Sequence, residues 1–201
     1  MRAALFNFIF FLLIVIQSLG QETTLQTNYI AGTTLSTPVG VVADESGNIY
    51  VANSYQVRIL APNGDFLKDI PLAEVPFIGQ ARAITSDEKG NLYVWDSYNM
   101  YLYKLDKEGK VLFRFKNSMS GSFYSSYVEG IAVAPDGSIY ITDVYKHVVN
   151  KFDSEGRFLL KLSGFKTPTD VAVGPDGSVY VADSYNSRIV KHTASGQLID
   201  T

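Results

Sequence analysis

The stretch 168–199, PTDVAVGPDGSVYVADSYNSRIVKHTASGQLI, decides the fold. It contains four short runs in which apolar and polar residues alternate, which is the pattern of half-buried strands. The runs are Asp170–Val173, Ser178–Ala182, Ser187–Lys191 and Gln197–Ile199. Pro-Asp-Gly at 175–177 and Ala-Ser-Gly at 194–196 separate them, and glycine tolerates the positive φ that tight turns need. The stretch therefore predicts a four-stranded antiparallel meander, and a lone meander would leave both of its faces in water.

The same pattern occurs three more times upstream, so this meander does not stand alone. The glycine of the first turn recurs about 40 to 47 residues apart, at Gly47, Gly90, Gly137 and Gly177. Repeats of this length with four strands each are typical of β-propellers, in which sheets pack face to face as blades around a channel. The predicted fold class is therefore all-β. The predicted blades are 38–70, 81–115, 128–162 and 168–200.

The repeats resemble the NHL-repeat family, whose units read approximately P-x-G-I-A-V-D-x-x-G-N-I-Y-V-A-D-x-x-N-x-R-I. The fourth unit carries most of this pattern, in Val179-Tyr180-Val181-Ala182-Asp183 and Asn186-Ser187-Arg188-Ile189. The second and third units have Tyr101 and Val148 where the family has arginine. NHL propellers usually close with six blades, so the resemblance implies an open arc of four blades, an incomplete six-bladed propeller. It is specific for the fold and says little about chemistry.

Residues 1–20 have the composition of a secretory signal peptide. Arg2 supplies the positive charge, 3–16 the apolar run and Ser18-Leu19-Gly20 the small residues of a cleavage site. We expect cleavage before Gln21 and a secreted protein, extracellular or periplasmic; the alternative is an uncleaved anchor helix. Residues 21–37 form a polar leader, which is either disordered or supplies an outer strand that closes the propeller.

Composition narrows the possible partners and the possible chemistry. A formal net charge of −3 gives no reason to expect nucleic acid as a partner, or an anionic membrane after signal cleavage. The chain has no cysteine and two histidines, which excludes a nucleophilic thiol and a histidine-rich zinc site. We therefore expect no cofactor and no metal in this chain.

Each repeat has a tyrosine in the loop between its second and third strands, where NHL repeats commonly have glycine. These residues are Tyr55, Tyr98, Tyr145 and Tyr185. Repetition puts them on one ring, which predicts an aromatic binding surface for a protein, peptide or glycan. The alternative is that each tyrosine packs over its own loop as a lid. The polar residues two positions earlier are expected to accept backbone N–H groups of the loop. They are Asn53, Asp96, Asp143 and Asp183.

A second candidate ring lies where the first strand of each blade enters the channel. Side chains that differ between repeats are the better candidates for function, which adds Arg82, Glu129 and Asp170 to the predicted site. Arg82 and Glu129 could also simply pair with each other. Trp95 replaces the alanine or threonine of the other repeats and either fills a gap or lines the pocket. The long connections 71–80 and 116–127 are predicted to lie on the same rim as the tyrosines.

The favoured function is a secreted binding scaffold, and the alternative is a propeller-type lyase or hydrolase, such as a gluconolactonase-like enzyme. Segments 141–152 and 170–190 also resemble peptidyl-hydroxyglycine alpha-amidating lyases, among which Tyr185 would be the matching tyrosine. That resemblance implies zinc-binding histidines just after the proline that opens the first strand. The residues at those positions are Val39, Arg82, Glu129 and Thr169. The enzyme alternative therefore requires site residues outside this chain.

Overall fold

The fold was taken from a computed structural model, which describes residues 37–72, 80–116 and 127–201. These residues form four antiparallel sheets of four strands each, arranged as the four blades of a β-propeller. The first two blades are β1 (Pro38–Ala43), β2 (Ile49–Asn53), β3 (Gln56–Leu60), β4 (Phe66–Pro71), then β5 (Ala81–Ser86), β6 (Leu92–Asp96), β7 (Tyr101–Leu105), β8 (Val111–Lys116). The last two are β9 (Ile131–Val133), β10 (Ile139–Asp143), β11 (Val148–Phe152), β12 (Phe158–Leu162), then β13 (Pro168–Val173), β14 (Val179–Asp183), β15 (Arg188–His192), β16 (Leu198–Asp200). One short 3-10 helix, Ser184–Asn186, joins β14 to β15.

This architecture confirms the prediction of an all-β propeller with four blades, each a four-stranded antiparallel sheet. The predicted signal peptide and leader, 1–36, lie outside the described residues, as do 73–79 and 117–126 of the two long connections. Within the described part of the chain, no helix has the length and apolar character needed to cross a bilayer.

The turns within each blade follow one design, and the turn between β1 and β2 illustrates it. Gly47 N–H donates to the carbonyl of Asp44 at 2.9 Å, and Asp44 N–H donates to the carbonyl of Asn48 at 3.0 Å. Gly47 has a φ of +81°, a conformation that side chains with a Cβ rarely adopt. The Asp44 carboxylate also accepts Asn48 N–H, which fixes the turn from the side.

Adjacent blades pack through faces that the sequence defines. We call the Tyr face of a blade the side on which the tyrosine of its second strand lies, at Tyr50, Tyr93, Tyr140 or Tyr180. The Tyr face of each of the first three blades packs against the opposite face of the next blade along the chain, and each junction is a separate apolar core. At the first junction, for example, Tyr50 and Val57 join Leu92 and Val94 in one cluster. A fully buried side chain of this size contributes roughly 1.5–3 kcal/mol, so these cores hold the blades together.

Candidate functional site

The loops between second and third strands lie beside the ends of the connections between blades. Three backbone hydrogen bonds show this: Ser97 N–H to the Gln80 carbonyl at 2.9 Å, Val144 N–H to Tyr127 at 2.9 Å and Ser184 N–H to Thr167 at 3.1 Å. Both sets of segments therefore occupy one side of the propeller, which we call the rim. The opposite side carries the glycine turns.

All four rim tyrosines project into solvent. Tyr55, Tyr98, Tyr145 and Tyr185 are between 65% and 79% exposed, the largest exposures among the large hydrophobic side chains of the described residues. A ring folded down over its own loop would keep less of its surface exposed, so these exposures favour the binding-surface interpretation over the lid. Exposed tyrosines on a rigid scaffold offer contact area at a small cost in conformational entropy.

The polar residues beneath these tyrosines are buried and hold the loops, as predicted. The Asn53 side-chain oxygen accepts Tyr55 N–H at 2.9 Å, and the Asp96 carboxylate accepts Tyr98 N–H at 3.0 Å. In the third blade Asp143 accepts Lys146 N–H at 3.1 Å. In the first three blades, a buried acceptor two residues before the tyrosine thus holds the backbone of the loop.

In the fourth blade the acceptor connects two segments of the rim. The Asp183 carboxylate accepts Lys166 N–H at 2.6 Å, the Asn186 amide at 2.7 Å and Arg188 Nε at 2.9 Å. Burial by itself raises the pKa of Asp183, but these three hydrogen bonds outweigh it and hold the pKa below its usual range. The ionised carboxylate therefore positions the loop of Tyr185 against the preceding connection.

Arg82 and Glu129 form an ion pair, which the sequence analysis left open as one possibility. The pair lies beside Tyr127 and Tyr145 on the rim. The Arg82 guanidinium is 3.6 Å from the Glu129 carboxylate and lies over the Tyr127 ring at 4.3 Å. The Tyr127 ring in turn contacts the Tyr145 ring, with centroids 5.2 Å apart. The cluster spans the second and third blades and joins the channel mouth to the tyrosine ring. Both ionic side chains keep about a third of their surface exposed, and the pair alone contributes less than about 1 kcal/mol.

The backbone of Gly130, in the third blade, lies in close contact with Asp170 in the fourth blade. A Cβ on Gly130 would lie 2.6 Å from Asp170 Cα and equally close to its carboxylate oxygen, so only glycine fits there. Burial raises the pKa of Asp170, although the hydrogen bond from Val171 N–H opposes the shift. Asp170 thus lies in the first strand of the fourth blade, one blade on from Glu129.

Trp95 does not belong to the binding surface. It has no exposed surface and packs with Tyr93, Leu102 and Ile131 in the core between the second and third blades. Of the two roles open to it from the sequence, filling a gap is the one it has. The prediction that places Trp95 among the rim residues is therefore wrong.

Two rim residues were missed by the sequence analysis. Tyr127 stacks between Arg82 and Tyr145, and the Lys166 ammonium lies 5.9 Å from the Tyr185 ring centroid. Both stand at the ends of connections between blades, where the repeat pattern is lost. The sequence feature that could have identified them is an aromatic or basic residue two to four positions before the first strand of a blade.

A groove of about 300 Å³ lies away from the rim tyrosines, at the outer edge between the third and fourth blades. Phe165, Val190 and His192 line it, with Arg188 and Lys161. No three potential metal ligands come together within the described ranges. The positions that would hold zinc in an amidating lyase offer one carboxylate, on Glu129, and no imidazole, so these residues do not fit that metal.

Comparison with known proteins gives fold relatives and one family match. The NHL repeat family model matches residues 165–191. No curated protein matches the sequence.

Solved structures resemble this chain in fold at low identity. A streptogramin B lyase structure aligns with a TM-score of 0.66 at 18% identity, over 82% of this chain and 54% of its own. Virginiamycin B lyase from Staphylococcus aureus gives 0.64 and 16%, over 82% and 55%. A nidogen/laminin complex gives 0.66 and 17%, over 85% and 65%. This chain thus spans about half the length of the two lyases. Identities this low establish the shared propeller fold alone.

Proposed function

Because the chain is an NHL-repeat β-propeller, we propose that it is a binding scaffold whose rim recognises a protein or peptide. The exposure of all four rim tyrosines is the observation that carries the proposal. Aromatic side chains are enriched at the energetic centres of protein interfaces, and arginine is enriched beside them. Tyr98, Tyr145, Tyr127 and Arg82 supply such a group on adjacent blades.

The composition of the rim supports a polypeptide partner. It combines aromatic surface with both signs of charge, from Arg82, Glu129 and Lys166, and this mixture suits a partner with its own charged and apolar side chains. One of the fold relatives is a complex between proteins, nidogen and laminin. The lyase alternative has less support, because the candidate metal positions lack imidazoles.

Peptide selection tests the proposal and does not require the natural partner to be identified first. A random-peptide phage library is panned against the protein, and the affinity of the selected peptides is measured by isothermal titration calorimetry. We expect Tyr98→Ala combined with Tyr145→Ala to weaken these peptides at least about tenfold, since one buried aromatic contact contributes about 2 kcal/mol. Thermal stability should stay unchanged because both rings are exposed.

The matched control is Phe66→Ala, which removes an exposed aromatic ring from an outer strand instead of the rim. Lys107→Glu and Glu155→Lys probe the opposite side. These three substitutions should leave affinity within about twofold. Peptides that depend on the control positions and ignore the tyrosines would place the binding face elsewhere. If glycans bind to the rim tyrosines and peptides do not, the partner class is glycan and the proposal of a protein or peptide partner is wrong.

We further propose that the protein acts outside the cytoplasm, after removal of residues 1–20. The order of Arg2, an apolar run and small residues supports this proposal. N-terminal sequencing of exported protein should begin at or near Gln21. Recovery of the chain from membranes with Met1 intact would contradict it.

A further inference from the structure

The groove of about 300 Å³ at the outer edge between the third and fourth blades lies where the fourth blade has a small side chain. We call it the outer groove, and its lining includes Lys161, Phe165, Arg188, Val190, His192 and Leu198. Val190 pairs with Val181, and the residue at the same position of the second blade is Tyr103. Tyr103 is fully buried in the core between the first and second blades. Valine is much smaller than tyrosine, so it leaves space at the corresponding place between the third and fourth blades.

The last turn of the fourth blade also packs less tightly on the blade before it. A Cβ on Gly109, in the last turn of the second blade, would overlap Ile70 of the first blade. A Cβ on Gly196, in the last turn of the fourth blade, would lie 3.1 Å from Leu162 of the third blade. Ile70 and Leu162 have the same position in their outer strands. The outer edge is therefore more open between the third and fourth blades than between the first and second.

Two cationic side chains line the outer groove, and none of the described residues that line it is acidic. Arg188 is held in place, because its Nε donates to Asp183 and its Nη2 donates to the Gly164 carbonyl, each at 2.9 Å. These two bonds leave its Nη1 for a ligand. Lys161 is exposed and adds a second positive charge. Since Asp183 balances one of the two cations, the site keeps a single positive charge, which suits a ligand with one negative charge.

His192 contributes a buried polar group to the same groove. It is only 5% exposed, and its Nδ1 has no hydrogen-bond partner among the described residues. A buried nitrogen without a partner is costly, so a polar atom of a ligand would stabilise it. Because burial lowers the pKa of His192, its imidazole is neutral at pH 7 and can donate one N–H to an anion.

We propose that the outer groove binds a small aliphatic carboxylate, with the carboxylate against Arg188, Lys161 and His192. The aliphatic chain would pack on Phe165, Val190 and Leu198, which supply the apolar part of the lining. The volume is at the small end of the range for ligand sites, which limits the ligand to a short chain. This site is separate from the rim tyrosines, so the proposal does not depend on the rim binding a protein or peptide.

Isothermal titration calorimetry of the full chain with octanoate tests the proposal. We expect saturable binding with a dissociation constant of about 1 mM or lower. Octanamide has the same chain and no charge, and it should bind at least about tenfold more weakly because it cannot form charge-assisted hydrogen bonds as an acceptor. Acetate has the charge without the chain and should show no saturable binding.

Two substitutions test whether octanoate occupies the groove. Lys161→Gln should weaken octanoate at least about threefold, because it removes one charged donor. Its matched control is Lys68→Gln, which changes an exposed lysine in the outer strand of the first blade and should leave affinity within about twofold. Val190→Tyr introduces the side chain that the second blade has at this position, and it should abolish binding by filling the groove. Circular dichroism checks that this variant folds, and the two lysine variants decide the question if it does not.

Four results would overturn the proposal. The first is octanoate binding that does not saturate. The second is octanamide binding as tight as octanoate binding, which would make the groove an apolar crevice without an anion site. The third is unchanged affinity in Lys161→Gln, which would place octanoate on another surface. The fourth is octyl phosphate that binds more tightly than octanoate, because the ligand class would then be a dianion.

Discussion

At the scale of single residues, His192 is a polar side chain in a position built for an apolar one. It pairs with Val179 in the fourth blade, and the residues at the same position in the other blades are Leu60, Leu105 and Phe152. All four are buried. His192 packs edge-on against Phe165, and its Nδ1 has no hydrogen-bond partner among the described residues. Burial lowers the pKa of His192 because the charged imidazolium is poorly solvated there.

This environment predicts a pH dependence of stability. The unfolded chain takes up a proton near pH 6.5 and the folded chain does so only at lower pH, so stability falls as pH drops below about 6.5. His192→Leu should remove this slope between about pH 7 and 5 and raise the urea midpoint at neutral pH. His147→Gln, which changes an exposed histidine, should retain the slope. If the pH dependence of stability persists in His192→Leu, another titrating group must cause it.

At the scale of the strand and blade, Trp95 shows how one large side chain joins two sheets. It stands in β6 on the Tyr face of the second blade, opposite Leu102, and fills space that alanine or threonine fills elsewhere.

Trp95→Ala should lower the free energy of unfolding by about 3–5 kcal/mol, since it leaves a large cavity. Trp95→Phe should lose clearly less. Urea denaturation measures both. Because Trp95 has no exposed surface, selected peptides should bind the folded Trp95→Phe protein with unchanged affinity. A loss of affinity without a loss of stability would show that Trp95 contributes to the binding surface after all.

The sequence could predict the blades and the tyrosine ring, because turn glycines and alternation recur in phase. It could not place Trp95, since blade stacking buries both faces of the second strands and alternation then carries no information about exposure. The first strand of the third blade is shorter than the first strands of the other blades. It begins at Ile131, because Gly130 N–H and Glu129 N–H donate to the Thr142 hydroxyl, at 2.9 and 3.3 Å. The Arg82–Tyr127–Tyr145 stack depends on geometry between blades, which no single repeat encodes.

At the scale of the whole molecule, acid should destabilise the fold further. Hydrogen bonds and ion pairs lower the pKa of several aspartates, as Arg58 does for Asp69. The group comprises Asp44, Asp69, Asp87, Asp136, Asp153, Asp176 and Asp183. A lowered pKa stabilises the fold above the unfolded value near 3.9, and this contribution is lost as pH falls through the folded value.

The urea midpoint should therefore fall steeply below about pH 5. Asp69→Asn should flatten part of that fall, because it removes one carboxylate that the fold holds ionised. Asp170 acts in the opposite direction, since its raised pKa favours the fold as pH drops, but it is one group against seven. A midpoint that rises on acidification would show that the single raised pKa dominates.

In the first three blades, each Tyr face is covered by the blade that follows it in the sequence, and this order has a consequence for synthesis. As the chain leaves the ribosome, the newest complete blade presents an uncovered apolar sheet until about forty more residues have emerged. During translation the uncovered apolar face therefore always belongs to the most recently completed blade of the nascent chain. A cell that makes this protein must shield one such surface at a time, and must keep neighbouring nascent chains from pairing through it.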